Sequence, residues 1–180
     1  MKKKENRRVT MTKQLLKDAL VSLLEKNDIY NISIRELCEV ADVNRSTFYK
    51  YYGSQFDLLA DMENDLIQMV NQAVEDNPAQ AEKIVLIICQ NIEENIDLCR
   101  LLVNNNVDPA FPEKMFSQAI MIQNEIFRRL GNSEGLEIEY MYNLLTYGCY
   151  QALRVWINKE NRESPEEFAK IIDRIISKMA

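Results

Sequence analysis

The most chemically informative part of the chain is a run of eight residues, 45–52, that mixes cations, hydroxyl groups and aromatic rings. An arginine can donate two hydrogen bonds to O6 and N7 of guanine, and serine or threonine hydroxyls can donate to phosphate oxygens. A tyrosine can bond to either group while its ring contacts a thymine methyl. Because so polar a run is too small to form a core, we interpret it as a surface that reads nucleic acid.

Residues suited to catalysis are scarce. The chain has no histidine, which removes the commonest general base and the commonest transition-metal ligand. The sequence also lacks a glycine-rich phosphate loop and paired catalytic motifs, so we expect no enzyme, no cofactor and no metal site. The scattered cysteines are interpreted as reduced core residues, with a thiol sensor as the less favoured alternative. They are Cys38, Cys89, Cys99 and Cys149.

The elements around the polar run have the pattern of a helix-turn-helix. Ser33 and Glu36 have the spacing of a capping box, which predicts the start of a short helix. After a tight turn, Asn44 is a favourable N-cap for the next helix, expected over 45–51. The second helix of such a motif fits the major groove of DNA. Phe48 is expected to point inward and to hold this helix on the core.

The rest of the chain shows helical periodicity, and only 4 Gly and 4 Pro interrupt it. We predict an all-α fold with an N-terminal three-helix helix-turn-helix head, 1–53. A long helix joins this head to a C-terminal helical bundle, 54–180, for dimerisation and ligand binding. Other helices are expected over 12–26, from Ser54 onward, over 81–92, 113–130 and 136–158, and from a second capping box at 164–167.

Charge is distributed unevenly along the chain, whose net charge is -6. The first 53 residues carry 11 basic and 7 acidic side chains, whereas the remainder carries 11 and 21. A basic head on an acidic body is consistent with a head that contacts DNA. The basic run 2–8 is interpreted as a solvated tail, with phosphate or minor-groove contact as the alternative. No apolar stretch suits a signal peptide or a membrane span, so we expect a cytoplasmic protein with no membrane partner.

Residues 10–59 resemble the DNA-binding head of the tetracycline-repressor-like (TetR) family. The family pattern Val-Ser-Lys-x-Thr-Leu-Tyr-x-Tyr-Phe is followed by a Lys and a Leu-Leu pair. This chain has VNRSTFYKYY over 43–52, then Gln55 and the pair Leu58-Leu59. Gln55 departs from the family Lys, so a phosphate-binding cation is missing, although glutamine can still donate a hydrogen bond. Residues 147–157 and 163–168 resemble one C-terminal type of the same family.

By position, the resemblance implies that one surface of the head contacts double-stranded DNA. The residues implied at bases or groove are Arg35, Arg45, Ser46, Tyr49 and Lys50, and those implied at phosphates are Thr47 and Tyr51. Asn44, at the start of the helix, is also counted among the DNA-binding residues. A homodimer would present two such surfaces to a palindromic operator, with half-sites about one helical turn or more apart.

The body supplies candidates for a ligand pocket and for a dimer interface. Helix 136–158 is apolar on more faces than a monomer of this size can cover, so we expect it to form the interface together with the last helix. The sequence has no Lys or Arg between Lys114 and Arg128, which predicts an apolar or neutral small-molecule effector. The pocket candidates are Met115, Phe116, Phe127, Tyr140 and Tyr147, and the interface candidates are Tyr150, Arg154, Ile171 and Ile175.

These features predict a sequence-specific transcriptional regulator, expected to be a repressor, that acts as a homodimer and is modulated by a small molecule. The alternative is a TetR-like co-regulator that works mainly through protein–protein contacts. Gln55 in place of the family Lys leaves that alternative open.

Overall fold

The computed structural model describes residues 2–77, 80–104, 107–118 and 136–179, and every regular element within those ranges is helical. The all-α fold predicted from the sequence is confirmed. The chain divides into two compact units, Met1–Asp65 and Leu66–Ala180. The helices are α1 (Lys2–Leu24), a 3₁₀ helix (Ile29–Asn31), α2 (Ile34–Val40), α3 (Arg45–Phe48), α4 (Gln55–Asp76), α5 (Ala81–Glu94), α6 (Ile96–Val103), α7 (Phe111–Gln118), α8 (Leu136–Asn158) and α9 (Pro165–Met179).

The first unit is built around apolar side chains that α1 to α4 each contribute. α1 packs against α2, and α2 contacts α3. The fully buried side chains include Leu16, Leu20, Leu37, Phe48 and Leu58. The predicted inward direction of Phe48 is therefore confirmed, and burial of such a ring contributes about 1.5–3 kcal/mol.

Helix α1 begins at Lys2, well before the predicted start at Thr12, and ends at Leu24. The apolar stripe on which the prediction relied begins only at Met11, so the basic run 2–8 gave no periodic signal. Lysine, glutamate and arginine have high helix propensity, which lets the helix continue through them without packing. Arg7 and Arg8 are exposed.

The turn of the helix-turn-helix is a Schellman motif centred on Asp42. The Val43 N–H donates to the Cys38 carbonyl at 3.0 Å, and the Asp42 N–H donates to the Glu39 carbonyl at 3.4 Å. Asp42 has a φ of 52°, the left-handed conformation that this position requires. Glycine is the usual residue there, but aspartate is among the few others that adopt it. The motif sets the direction in which the chain enters α3.

Helix α3 is shorter than the predicted range 45–51. The N–H groups of Lys50 and Tyr51 donate three residues back, to Thr47 at 3.2 Å and Phe48 at 2.9 Å, so the segment tightens into turns after one α-helical turn. Asn44 occupies the N-cap position as predicted, yet its side chain makes no capping hydrogen bond. The amide of Asn44 is thus left at the exposed surface.

The second unit is a helical bundle with one main core. α5 packs along α9, α6 packs against α8, and α8 also contacts α9. Trp156 is fully buried, stacks on Phe168 with ring centroids 5.1 Å apart, and donates from Nε1 to the Glu163 carbonyl at 2.8 Å. The main core comprises Cys89, Ile92, Cys99, Val103, Tyr150, Trp156, Ile157, Phe168 and Ile172. Within the described ranges, no helix has the length and apolar content that a bilayer crossing needs.

The ends of the last two helices agree with the sequence patterns. α8 covers the predicted range, and the capping box that starts α9 is complete. The Glu167 N–H donates to Ser164 Oγ at 3.2 Å, and the Ser164 N–H donates to Glu167 Oε2 at 3.1 Å. At the start of α2, the Glu36 N–H donates to Ser33 Oγ at 3.1 Å.

The cysteines lie in environments that keep their thiols protonated. Cys89 and Cys99 are buried in the body core, and burial raises the pKa of each thiol to about 12. Burial also raises the pKa of Cys38 and Cys149. A thiol that stays protonated at neutral pH is a weak nucleophile, so nothing at these positions favours a thiol sensor.

Candidate nucleic-acid interface

Helix α3 and the turn after it present polar side chains around one buried anchor. The Phe48 ring is buried and meets the Tyr49 ring edge-on, with centroids 5.5 Å apart. Tyr49 is 58% exposed. Arg45, Ser46 and Lys50 are also exposed, and their spacing places them beside Tyr49 on one side of the segment. We call these four residues the recognition face.

The other predicted DNA-contacting residues surround this face less uniformly. Thr47 and Tyr51 are partly buried, whereas Arg35 is exposed on α2. Arg35 Nε donates to Glu39 Oε1 at 2.8 Å, and this bond raises the pKa of the guanidinium. A phosphate would therefore have to compete with Glu39 for Arg35.

Residues 45–52, the recognition segment, end in a polar cluster that the sequence reasoning missed. This cluster connects the end of the segment to α1 and α4. The Tyr52 hydroxyl donates to Asp61 Oδ2 at 2.7 Å. Lys17 Nζ lies 3.0 Å from the same oxygen and also bonds to Asp65. Lys13 Nζ lies 3.6 Å from Asp61 Oδ2 and 5.2 Å from the centroid of the Tyr52 ring. We call these five residues the brace.

Asp61 and Tyr52, at the centre of the brace, each keep one protonation state near neutral pH. Burial opposes ionisation of Asp61, but hydrogen bonds from Tyr52 and Lys17 outweigh it and lower the pKa of the carboxyl. Burial and the bond to Asp61 raise the pKa of the Tyr52 hydroxyl, so it remains a donor. The sequence held a signal for the cluster, since Lys13 and Lys17 on α1 have the same four-residue spacing as Asp61 and Asp65 on α4.

The start of α4 uses its polar groups within the head. The Asp57 N–H donates to Ser54 Oγ at 3.3 Å, and the Gly53 N–H donates to Asp57 Oδ2 at 2.9 Å. Gln55 Nε2 donates to the Ile29 carbonyl at 3.4 Å. One N–H of Gln55 is thereby committed to the head, which weakens it further as a substitute for the family Lys.

The pocket candidates that the structure describes differ in exposure. Met115 packs against the body core. Tyr140 and Tyr147 are 69% and 47% exposed on α8, and their place in a ligand pocket stays a prediction. A helix that is apolar on most faces does not reveal by its pattern which face is covered. The side chain of Phe116 and the whole of Phe127 lie outside the described residues.

Two of the interface candidates bond within their own subunit. The Tyr150 hydroxyl donates to the Val103 carbonyl at 3.1 Å from a buried position. Arg154 Nε donates to Asn104 Oδ1 at 3.4 Å. Both bonds lie within the subunit, and the role of these two residues in a dimer interface stays a prediction. Ile171 is partly buried, whereas Ile175 is 50% exposed.

An exposed apolar stripe runs along α8 instead. Tyr140, Leu144, Tyr147 and Val155 have the spacing of one helix face, and each is 47% exposed or more. The sequence indicated that this helix carries more apolar side chains than one subunit can cover, but Tyr150, the residue chosen from it, lies on its buried side.

Comparison with known proteins identifies the family. Residues 79–178 match the TetR family model described as "Transcriptional regulator C-terminal region", which covers more than half of the chain. The chain belongs to the TetR family of transcriptional regulators. The family assignment made from 10–59 is thereby confirmed through the other part of the chain, and these proteins are regulators rather than enzymes.

Two curated relatives of the chain are helix-turn-helix regulators. It is 22% identical to the uncharacterized HTH-type transcriptional regulator YxbF of Bacillus subtilis, over 90% of this chain and 44% of that protein. It is 28% identical to the HTH-type dhaKLM operon transcriptional activator DhaS of Lactococcus lactis, over 47% of this chain and 45% of that protein. The chain thus spans less than half the length of either relative.

Solved structures of TetR-type regulators share the fold. A regulator from Streptococcus agalactiae matches with a TM-score of 0.69 and 23% identity, over 98% of this chain and 99% of that one. The dihydroxyacetone kinase operon activator DhaS matches with a TM-score of 0.67 and 20% identity, over 93% and 95%. The repressor FadR of Thermus thermophilus, solved with lauroyl-CoA, matches with a TM-score of 0.58 and 17% identity, over 92% and 93%.

Proposed function

We propose that this TetR-family regulator is a repressor that binds a palindromic operator as a homodimer and is released or retained by a small molecule. The observation that carries the proposal is the recognition face, whose four polar side chains surround the buried ring of Phe48. An anchored helix start of this kind can enter a major groove and bring side chains to base edges.

Roles within the interface follow from exposure and chemistry. Arg45 stands at the first position of α3 and is suited to guanine, while Tyr49 offers a hydroxyl and a ring to a neighbouring base pair. Lys50 is suited to a phosphate or to the groove edge. Thr47 is partly buried beside the helix start, where a short hydroxyl side chain suits a phosphate oxygen better than a base.

The test is a selection of genomic fragments by the purified protein, followed by binding of variants to the selected duplex. Arg45→Ala and Tyr49→Ala should each weaken binding by about 1–3 kcal/mol and relax discrimination at particular base pairs. Thr47→Ala should weaken binding to all sequences alike. Lys26→Ala, at an exposed position after α1, is the control and should change neither. An Arg45→Ala variant with unchanged affinity and sequence preference would refute the placement of the recognition face.

The homodimer in this proposal is supported by exposed apolar surface on the last two helices. The stripe on α8 and Ile175 on α9 leave large apolar side chains in solvent, which a two-fold copy of the same surface could cover. Two recognition faces related by a two-fold axis match the symmetry of a palindrome.

The effector in this proposal is an apolar or neutral small molecule. Its support is the absence of Lys and Arg between Lys114 and Arg128, together with Met115 at the edge of the body core. FadR, a structural neighbour, was solved with lauroyl-CoA, which agrees with the proposal in its apolar acyl chain but not in its anionic coenzyme A part. A thermal-shift screen should find ligands that also change operator affinity, and operator DNA should change ligand affinity by the same factor. A hit without that reciprocity is not the effector.

The sign of regulation is proposed from the simplest mechanism, in which a bound dimer blocks access to a promoter. Among the similar proteins, FadR is described as a repressor and DhaS as an activator. Deletion of the gene should therefore raise transcription next to the selected operators. A fall in transcription there would assign an activator.

A co-regulator that acts mainly through protein contacts is the second candidate. It is favoured by two donors that bond within the head, Gln55 to the Ile29 carbonyl and Arg35 to Glu39. The same fragment selection separates the candidates, because a co-regulator alone would retain no sequence preferentially.

A further inference from the structure

We propose that the start of α1, residues 2–8, is a second DNA-contacting element that supplies the phosphate-binding charge missing at Gln55. We call it the basic extension. The inference rests on the proposed DNA binding of the head. It adds a surface on a second helix, outside α3, with duplex phosphates as the partner and no role in sequence discrimination.

The composition of the basic extension suits an anionic partner. It reads KKKENRR, five cations against one glutamate, within a chain whose net charge is -6. The segment lies in α1, and Arg7 and Arg8 are exposed. Cations near the first turn of a helix interact unfavourably with the helix dipole, so they do not stabilise α1 itself. Their placement is better explained by an external anion.

The brace fixes the direction in which the basic extension points. Lys13 pairs with Asp61, and Lys17 pairs with Asp61 and Asp65. Moving four residues toward the start of α1, from Lys17 to Lys13, thus moves the paired carboxylate four residues toward the start of α4, from Asp65 to Asp61. The two helices run in the same direction where they meet, and their beginnings lie at the same end of the head.

The register places the basic extension beside the start of α4. Gln55 lies six residues before Asp61, and Arg7 lies six residues before Lys13. Because Lys17 also pairs with Asp61, the ion pairs place Gln55 level with residues 7 to 11 of α1. Arg7 and Arg8 therefore lie toward the end of the head at which α4 begins. At about 1.5 Å per helical residue, residues 2–6 continue roughly 7 Å farther.

The position agrees with what the head lacks. The family resemblance implies a phosphate-binding cation at the start of α4, but Gln55 carries no charge and donates to the Ile29 carbonyl at 3.4 Å. Two arginines on the neighbouring helix bring positive charge back to that end of the head. Charges of this kind raise affinity for any duplex sequence and make binding dependent on salt.

The experiment measures affinity against salt concentration for a duplex selected from genomic fragments by the wild-type protein. One variant replaces Lys2, Lys3, Lys4, Arg7 and Arg8 by Gln, which keeps helix propensity. A second replaces only Arg7 and Arg8. The control is Lys26→Gln with Lys83→Gln, which removes two exposed charges after α1 and on α5.

We expect the Arg7→Gln/Arg8→Gln variant to lower the slope of log affinity against log salt by about 2 per protomer, at about 0.9 per phosphate contact. The variant with all five substitutions should lose about tenfold or more in affinity near 150 mM salt, with the ranking of operator sequences unchanged. The control should keep the wild-type slope, and circular dichroism should show folded protein throughout.

Two other outcomes would overturn the inference, and they are distinguishable. If the wild type selects and binds a duplex but both variants keep its affinity and slope, the basic extension does not contact DNA while the proposed function stands. If the wild type selects no duplex, the proposed function fails, and the inference fails with it.

Discussion

Phe48 and Tyr52 show how two aromatic residues of one short segment serve different purposes. The buried Phe48 ring holds the segment against the core of the head, and its centroid lies 5.8 Å from that of the Tyr52 ring. Tyr52 is also buried, but its hydroxyl donates to Asp61 at 2.7 Å, which ties the end of the segment to α4. At residue scale, the recognition face is therefore positioned by one apolar contact and one polar contact.

Removing only the polar contact should loosen the recognition face. Tyr52→Phe keeps the ring but leaves Asp61 without its hydroxyl donor, so we expect a loss of about 1–2 kcal/mol in the free energy of unfolding. Operator affinity should fall as well, because the segment gains freedom. Urea denaturation and titration with operator DNA measure the two effects. Tyr30→Phe, at a residue 79% exposed, is the control and should change neither.

The same contact predicts a dependence on pH. The pKa of Asp61 is lower in the folded protein than in the unfolded chain, so its stabilising contribution is present above the unfolded pKa, about 4. That contribution is lost as pH falls through the folded pKa. Asp61→Asn should therefore be less stable than the wild type at pH 7, and the difference should shrink below about pH 4. A constant difference across this range would exclude ionised Asp61 as the cause.

The ion pair of Arg35 predicts a substitution that should raise the affinity for DNA instead of lowering it. Its guanidinium is paired with Glu39 at 2.8 Å on an exposed helix face, and a DNA phosphate would have to displace that carboxylate. Glu39→Gln should tighten binding to all duplexes several-fold, because it removes both a competitor and a negative charge. Glu82→Gln, an exposed position on α5, is the matched change in net charge and should have a smaller effect. Fluorescence anisotropy at fixed salt measures both.

At the scale of elements, the turn before α3 carries a residue that is not the most stable choice. Asp42 adopts a φ of 52°, where a residue without Cβ has no steric penalty. Asp42→Gly should raise the free energy of unfolding by about 0.5–1 kcal/mol, whereas Asp42→Val should lower it by more than that. Thermal and urea denaturation provide the measurements. Equal stability of the three proteins would mean that the turn does not need the left-handed conformation.

The elements also show which signals in a sequence are local. The start of α9 could be predicted from Ser164 and Glu167 alone, because both halves of a capping box lie within one turn. The beginning of α1 at Lys2 could not be predicted in this way, because a helix without a packed face shows no apolar periodicity. The length of α3 was overestimated because the N–H groups of Lys50 and Tyr51 donate three residues back instead of four, which the residue types do not indicate.

At the scale of the whole molecule, the proposed dimer can be tested at its least buried large apolar residue on α9. Ile175 is 50% exposed, so Ile175→Asp should leave the subunit folded while placing a charge in the proposed interface. Sedimentation should show the variant at the 21.1 kDa of one chain and the wild type at twice that mass. Lys170→Asp, an exposed position on the same helix, is the control. A monomeric wild type at micromolar concentration contradicts the homodimer.

Tertiary neighbours explain why residues with similar signals in the sequence differ in exposure. Tyr150 and Tyr147 are three positions apart on α8, yet the first bonds to Val103 of α6 and the second is 47% exposed. Both are tyrosines in an apolar helix, so only the packing of α6 and α9 against α8 distinguishes them. The pairing of Tyr52 with Asp61 likewise depends on how α4 folds back beside the recognition segment.

Trp156 gives the protein an intrinsic optical reporter for one of its two units. It is the single tryptophan of the chain and is fully buried. Its indole stacks on Phe168, and the guanidinium carbon of Arg162 lies 5.3 Å from the indole centroid. Its emission should shift to the red when the second unit unfolds and water reaches the indole, while the first unit contributes only tyrosine fluorescence and circular dichroism. Comparing the two signals along one denaturation curve asks whether the units unfold together, without any label.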